Sequence, residues 1–230
     1  MRLSRAAAPT YSEAVSNRSQ AEPAMSPQTL VEFALFAFAA SITPGPNNLM
    51  LLASGANFGF RATLPHLLGV AAGFMLLVAS VGFGLAEVFA RLPWVYAAMR
   101  WIGAAYLLYL AWRIARSTPP DPARRTGGDT RPMSFLGAVA FQWVNPKAWL
   151  MAVSAFSTYV PVTRGTPILL GAVLLFGAIN LPSITAWVLG GARLGRLLQT
   201  RRRALAFNLL MSTLLVASLL PLLDAAHRVA

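Results

Sequence analysis

The sequence predicts an all-α polytopic membrane protein: six transmembrane helices forming two inverted three-helix repeats, with the first and fourth helices interrupted. Three observations predict it. Only 11% of the 230 residues are charged while 57% are hydrophobic, against roughly 25% charge in ordinary soluble domains. Several apolar runs approach twenty residues, the length an α-helix needs to cross a hydrocarbon core of about 30 Å. Two of these runs carry a proline-centred interruption, Thr43-Pro44-Gly45-Pro46-Asn47-Asn48 and Gln142-Trp143-Val144-Asn145-Pro146-Lys147.

Met1 to about Gln28 is polar and lacks the apolar core of a signal peptide. It reads as a disordered extension over 1–28, with Met25 as an alternative start immediately before the first membrane run. The predicted spans are Thr29 to Leu52, Leu64 to Ala86, Trp94 to Ile114, Ser134 to Tyr159, Thr166 to Leu189 and Ala204 to Leu223. The first repeat thus occupies 29–114 and the second 134–230. Between them, 115–133 holds Pro119, Pro120, Pro122, Gly127 and Gly128, a composition that reads as a flexible cytoplasmic linker.

The net charge of +12 does not point to nucleic acid. Its arginines lie between apolar runs, with no basic surface interleaved with aromatic residues. Arg61, Arg113, Arg116, Arg124, Arg125, Arg131, Arg193, Arg196 and Arg201 to Arg203 fall on one side of the bilayer, and Arg91, Arg100, Arg164 and Arg228 on the other. Because basic loops stay cytoplasmic, where anionic lipids attract them, both termini are expected in the periplasm. A homodimer is left open.

The two interruptions organise the functional reading. Pro44 and Pro46 remove backbone donors and Gly45 adds freedom, so a continuous helix through them is disfavoured. Opened backbone groups at membrane depth are costly unless protein or a wet cavity satisfies them. A proline kink packed against neighbouring helices is the simpler alternative. A shift of one hundred residues superposes Pro46 on Pro146 and Ser54 on Ser154, and three spans per half invert the second half relative to the first. Corresponding broken helices in inverted repeats meet near the midplane in many secondary transporters. A half-helix starting at Pro46 would aim free N–H groups at a carboxylate. Lys147 would add a full positive charge, and the amide oxygens of Asn47 and Asn145 would accept from an ammonium group. The substrate expected is a small zwitterion.

Other polar residues carry alternatives. Lys147 is either substrate-facing, helix-fixing or snorkelling to an interface. Tyr106 and Tyr109 share a helix face and either line the cavity or sit in an aromatic belt. Asn180-Leu181-Pro182 reads as a third polar break, with Asn180 either a substrate contact or a link across the bundle. Gly69 and Gly73 form a small-xxx-small pair for close helix packing. Glu32, Glu87, Asp224 and His66 sit near span ends and read as solvated interfacial residues, with a proton relay as the alternative; His66, beside Pro65 at the cytoplasmic start of the second span, would suit proton exchange.

These motifs resemble the lysine exporter superfamily (LysE/RhtB), in the branch of homoserine, threonine and neutral amino-acid exporters. The resemblance rests on Ser41-Ile42-Thr43-Pro44-Gly45-Pro46-Asn47-Asn48, Gly55, the Gly59-Phe60-Arg61 turn, Gly103 through Leu110, and Asn145-Pro146-Lys147-Ala148, and runs from about Ser26 onward. It implies a six-helix exporter of amino acids or related metabolites in the bacterial cytoplasmic membrane, driven by the proton gradient. Many members have aspartate where this chain has Asn47, so an acidic proton site does not carry over to that position. With no cysteine, no nucleotide loop, no zinc spacing and no hydrolase nucleophile motif, the sequence points away from an enzyme and calls for no cofactor or metal. A passive channel, and an exporter of basic amino acids or other solutes, remain alternatives.

Overall fold

The computed structural model describes residues 25–117, 131–160, 165–198 and 200–219. The N-terminal extension over 1–24, the linker over 118–130 and Asp224 lie outside the described residues. Every regular element among those described is helical.

Helix α1, Pro27–Ile42, starts where Ser26 Oγ accepts from Thr29 N–H at 3.1 Å, with proline at its first position, an N-terminus built from a cap and a donor-free residue. It stops at Thr43, whose extended backbone (φ −62°, ψ 138°) is the conformation a following proline favours. The chain re-enters helix at Pro46. Helix α2, Pro46–Ser80, is interrupted at Gly59 (φ 78°, ψ 171°), a left-handed backbone that glycine adopts without a Cβ clash. Ser54 and Thr63 hydroxyls approach to 3.2 Å across this turn, so α2 is a hairpin with arms 46–58 and 60–80. It continues through a π-helical turn, Val81–Leu85, into α3, Ala86–Arg91.

Helix α4, Pro93–Ala115, is followed after the linker by α5, Phe135–Val144, capped by Ser134. A single non-helical residue, Asn145, separates α5 from α6, Pro146–Thr158. Helices α7, Thr166–Leu197, and α8, Arg201–Ala217, complete the order. Two expectations are corrected here. Pro182 does not break its helix, which runs unbroken through it and eight residues past the predicted end at Leu189. One lost backbone bond is tolerable in a long apolar helix, and the Ser183 and Thr185 hydroxyls bond back to the carbonyls of Ile179 and Leu181 at 2.8 and 2.7 Å, as in membrane helices that carry proline.

Glycines set the close helix crossings. A Cβ at Gly73 would stand 2.7 Å from Val139 Cα, and one at Gly69 2.4 Å from the Phe135 carbonyl, so the 60–80 arm and α5 run side by side with their backbones in near contact. Likewise Gly191 and Gly195 of α7 lie against the carbonyls of Leu52 and Ala56 in the 46–58 arm. Phe33, Phe74 and Phe176 meet edge to face at 5.6 and 5.0 Å in the largest buried cluster. Outward, by contrast, Leu136, Trp94, Leu150 and Leu174 are each more than 60% exposed. An apolar exterior of this kind suits lipid rather than water. By length and composition Thr166–Leu197 is sufficient to cross a membrane, and Pro46–Leu85 is as apolar but folds back at Gly59.

Candidate functional site

Both helix breaks open onto one cavity. Its walls come from α1 (Ala40, Ser41), the first break and the start of α2 (Gly45, Asn47, Asn48), the second break and α6 (Asn145, Lys147, Met151), and Asn180 of α7. The empty space between these walls, open mouth included, is about 330 Å³. Val70, Phe74, Ala148, Met151 and Ile184 form its apolar side. None of the described residues lining it is acidic.

At the first break the exposed carbonyls are taken up by side chains. Asn48, buried, donates through Nδ2 to the carbonyls of Ser41 and Thr43, both at 2.8 Å. The Thr43 hydroxyl donates to Ala39 O, and Trp187 Nε1 donates to Ile42 O at 3.1 Å. Lys147 reaches across from α6 and donates through Nζ to Thr43 O at 2.5 Å and Pro44 O at 3.3 Å. The carbonyl end of a helix carries partial negative charge, which a cation stabilises. Lys147 therefore ties the start of α6 to the end of α1.

Gly45 is explained by this reach. Its backbone is extended (φ −174°, ψ 176°), open to any residue, but a Cβ would stand 2.6 Å from Lys147 Cδ and 3.1 Å from Nζ. The lysine lies across the space a side chain would fill. Pro44 is exposed, whereas Pro46 is buried at the first turn of α2.

At the second break Asn145 caps α6, its Oδ1 accepting from Lys147 N–H at 3.2 Å. That oxygen is therefore already engaged. Asn47 pairs reciprocally with Gln142: Asn47 Nδ2 donates to Oε1 at 2.8 Å, and Gln142 Nε2 donates to Asn47 Oδ1 at 3.3 Å and to Ala138 O at 3.1 Å. A reciprocal carboxamide pair is self-satisfied, which suits amide groups held in an apolar bundle.

Asn180 is different. Its Nδ2 donates to Ser41 Oγ at 3.0 Å, but its buried Oδ1 has no partner among the described residues. A hydroxyl can serve as donor or acceptor, so the amide atom presented to the cavity follows what occupies it. Tyr106 and Tyr109 are not brought here. They stack on each other at 5.9 Å, Tyr106 also meets Phe141 at 5.7 Å, and neither lines this cavity.

Two residues stand differently from their sequence reading. Gln142 falls inside the second interruption, yet its pairing with Asn47 depends on tertiary contact; a lone carboxamide in an apolar run was the available signal. His66, expected at a solvated span end, is 2% exposed with neither ring nitrogen bonded to a described residue. The Gly59 turn folds it beneath the 46–58 arm. Glu32 and Glu87, by contrast, are exposed, bonded to Gln28 at 2.9 Å and Arg91 at 3.4 Å respectively.

The family described as LysE type translocator matches residues 38–223. The chain is 36% identical over 196 residues to the cysteine/O-acetylserine efflux protein of Escherichia coli strain K12, covering 84% of this chain and 96% of that one. It is 37% identical over 197 residues to the protein of the same name from Klebsiella pneumoniae, covering 84% and 95%. No solved structure matches the chain. Translocators of this kind move solutes across the bacterial inner membrane rather than transform them, so the chain is a membrane transporter and not an enzyme. The chain belongs to the LysE type translocator family.

Proposed function

We propose that the chain is a secondary active exporter of small neutral amino acids, driven by proton antiport across the cytoplasmic membrane. The observation that carries the reading is the convergence of both helix breaks on one cavity with Lys147 Nζ and the unpaired Asn180 oxygen in its walls. A substrate carboxylate would take the lysine ammonium in place of the Thr43 and Pro44 carbonyls, a stronger partner because it is fully charged. The substrate ammonium would find Asn180 Oδ1, relieving an otherwise unmatched buried acceptor.

Side-chain preference follows from the rest of the wall. Val70, Phe74, Ala148, Met151 and Ile184 accept a short or weakly polar side chain, whereas a dibasic substrate would bring a second cation beside Lys147 without an acidic partner. The relatives named for efflux of cysteine and O-acetylserine add those two solutes to homoserine, threonine and leucine as candidates. In the same reading the chain spans the membrane six times as two inverted halves, with both termini outside. Exposed arginines at 201–203 would then face anionic cytoplasmic lipid.

The test is efflux from proteoliposomes loaded with one labelled amino acid at a time, with and without a pH gradient. Cysteine, O-acetylserine or a similarly small neutral amino acid is expected to leave faster when the outside is acidic. If none moves under either condition, the substrate class is wrong. An initial rate indifferent to the gradient would replace antiport with passive conduction.

A further inference from the structure

The two helix starts that meet in the cavity are finished differently. At α6 the cap is complete: Asn145 Oδ1 accepts from Lys147 N–H at 3.2 Å, and the Asn145 carbonyl accepts from Ala148 and Trp149 N–H at 3.1 and 3.3 Å. At α2 it is not. The N-cap is Gly45, which has no side chain to offer, and the first backbone bond of the helix runs from Leu49 N–H to Gly45 O at 2.9 Å. The Asn47 and Asn48 N–H groups ahead of it have no partner among the described residues, and these are the two donors that an N-cap side chain normally serves.

We propose that a ligand carboxylate is the missing cap of α2: one oxygen accepts from the Asn47 and Asn48 N–H groups while the other takes the Lys147 ammonium. The proposal rests on the exporter reading for the ligand's identity, an amino acid, and adds a main-chain seat to the lysine contact.

Charge is the first ground. The first turn of a helix carries about half a positive charge, and Lys147 sets a full one against it, with Nζ 3.1 Å from where a Gly45 Cβ would be. The space from which a cap side chain would leave is thus held by a cation. The Thr43 and Pro44 carbonyls offset part of that charge, yet none of the described residues lining the cavity is acidic. Two positive ends facing each other repel at low dielectric, and a carboxylate between them turns that repulsion into two attractions. An ammonium has three donors, so the two carbonyls leave one for the ligand.

The second ground is an acceptor on the same wall. Asn180 is 5% exposed, lines the cavity with Gly45, Asn47 and Asn48, and its buried Oδ1 has no partner among the described residues. Its Nδ2 donates to Ser41 Oγ at 3.0 Å, and Asn48 Nδ2 donates to the carbonyl of the same serine at 2.8 Å, so this carboxamide stands beside the open turn. Buried acceptors in native proteins are nearly always met by protein, water or ligand. A zwitterion answers both needs at once, its carboxylate on the open N–H groups and its ammonium on the open oxygen.

The asparagine side chains leave the seat to the main chain. Asn47 is paired with Gln142, and Asn48 Nδ2 is spent on the Ser41 and Thr43 carbonyls. These bonds hold the first turn of α2 in place without using its N–H groups. A seat made of backbone donors favours a charged acceptor over a neutral one, so a carboxylate is preferred to its amide whatever side chain the ligand carries.

The experiment uses the full-length chain in lipid nanodiscs, prepared with nitrogen-labelled asparagine and either carbonyl-labelled proline or carbonyl-labelled asparagine. Asn47 is the only asparagine that follows proline and Asn48 the only one that follows asparagine, so each pairing of labels reports one backbone amide. O-acetylserine or cysteine is expected to move both amide protons downfield and saturably, whereas the corresponding carboxamides, and chloride at the same ionic strength, are not. Asn47→Pro, tolerable in a first helical turn, deletes the N–H and the Gln142 pair; Asn47→Ala deletes the pair alone. The amino acid should bind the proline variant about tenfold more weakly than the alanine variant. Amides indifferent to both amino acids, or moved equally by the carboxamides or chloride, would overturn the proposal, as would equal affinities of the two variants. If the proline variant does not fold, the labelled spectra of the unmodified chain decide alone. Efflux of either amino acid with unmoved amides refutes this seat and spares the exporter reading; moved amides without efflux of any amino acid refute the exporter reading and leave the seat standing.

Discussion

Lys147→Met isolates the contact on which the proposed mechanism depends. Methionine keeps the bulk of the side chain and removes the ammonium that bonds to Thr43 O and Pro44 O. A charge-assisted bond contributes about 1.5–3 kcal/mol. The fold loses less than two such bonds, because Asn48 still donates to Thr43 O and because removing a partly buried cation recovers some of its desolvation cost. The net is about 1–2 kcal/mol, which for a chain of this length lowers the melting temperature by about 2–8 °C. If the same ammonium also holds the substrate carboxylate, transport loses a further contact of about 2–3 kcal/mol, or about 30- to 150-fold at 1.4 kcal/mol per decade. The assay is efflux of labelled cysteine or O-acetylserine from proteoliposomes, paired with a thermal melt of the same preparation. Lys147 is the only lysine in the chain, so labelling by an amine-selective reagent, located by peptide mapping to separate it from the α-amino group and run against a non-transported amine as control, reads its accessibility, and substrate should protect it. Wild-type efflux from the methionine variant would refute the proposed contact. A melt lowered by much more than 10 °C, in step with efflux, would reduce the lysine to a clip between helices.

Gly45→Ala should separate lysine placement from stability. The added methyl displaces Lys147 from Thr43, yet the flexible lysine tail can swing aside, so efflux is expected to fall about tenfold while the melt moves by less than about 3 °C; unchanged efflux would show that the lysine's position is immaterial. Asn180→Leu removes, at nearly the same volume, the buried Oδ1 that has no partner among the described residues and the bond that Nδ2 donates to Ser41. Folding should hold within about 1 kcal/mol, because an unsatisfied acceptor is lost together with a neutral bond, while efflux falls about tenfold; retained efflux in the leucine variant would remove the ammonium contact.

The breaks were legible because proline acts locally. Pro44, Pro46 and Pro146 delete donors wherever the chain goes next, and the structure ends α1 and starts α2 and α6 at those positions. Pro182 shows the limit of that rule: one missing donor in a long apolar helix is absorbed there, whereas the equally solitary Pro146 starts a new helix behind the Asn145 cap. The Gly59 turn falls in the connection expected between Leu52 and Leu64, and its Gly59-Phe60-Arg61 text was among the residues that carry the family resemblance. The pairings of Asn47 with Gln142 and of Asn57 with Asn208 were not, since each joins residues more than ninety positions apart. His66 was misplaced for a related reason. Its neighbours in sequence suggested an interface, and only the fold of the hairpin covers it. Tyr106 and Tyr109 do share a helix face, as their spacing required, but spacing cannot say which neighbour that face meets.

The glycine crossing of α7 with the opening arm of α2 constrains how such a carrier can work. With Gly191 and Gly195 pressed directly onto peptide groups of the other strand, there is no layer of side chains to act as a bearing, and the two rods are coupled as a single keel. Asn180 belongs to that keel, whereas Lys147 stands on a separate short helix that a single non-helical residue, Asn145, joins to the chain before it. A zwitterion taken by both would therefore bridge two bodies that the glycine crossing does not weld together.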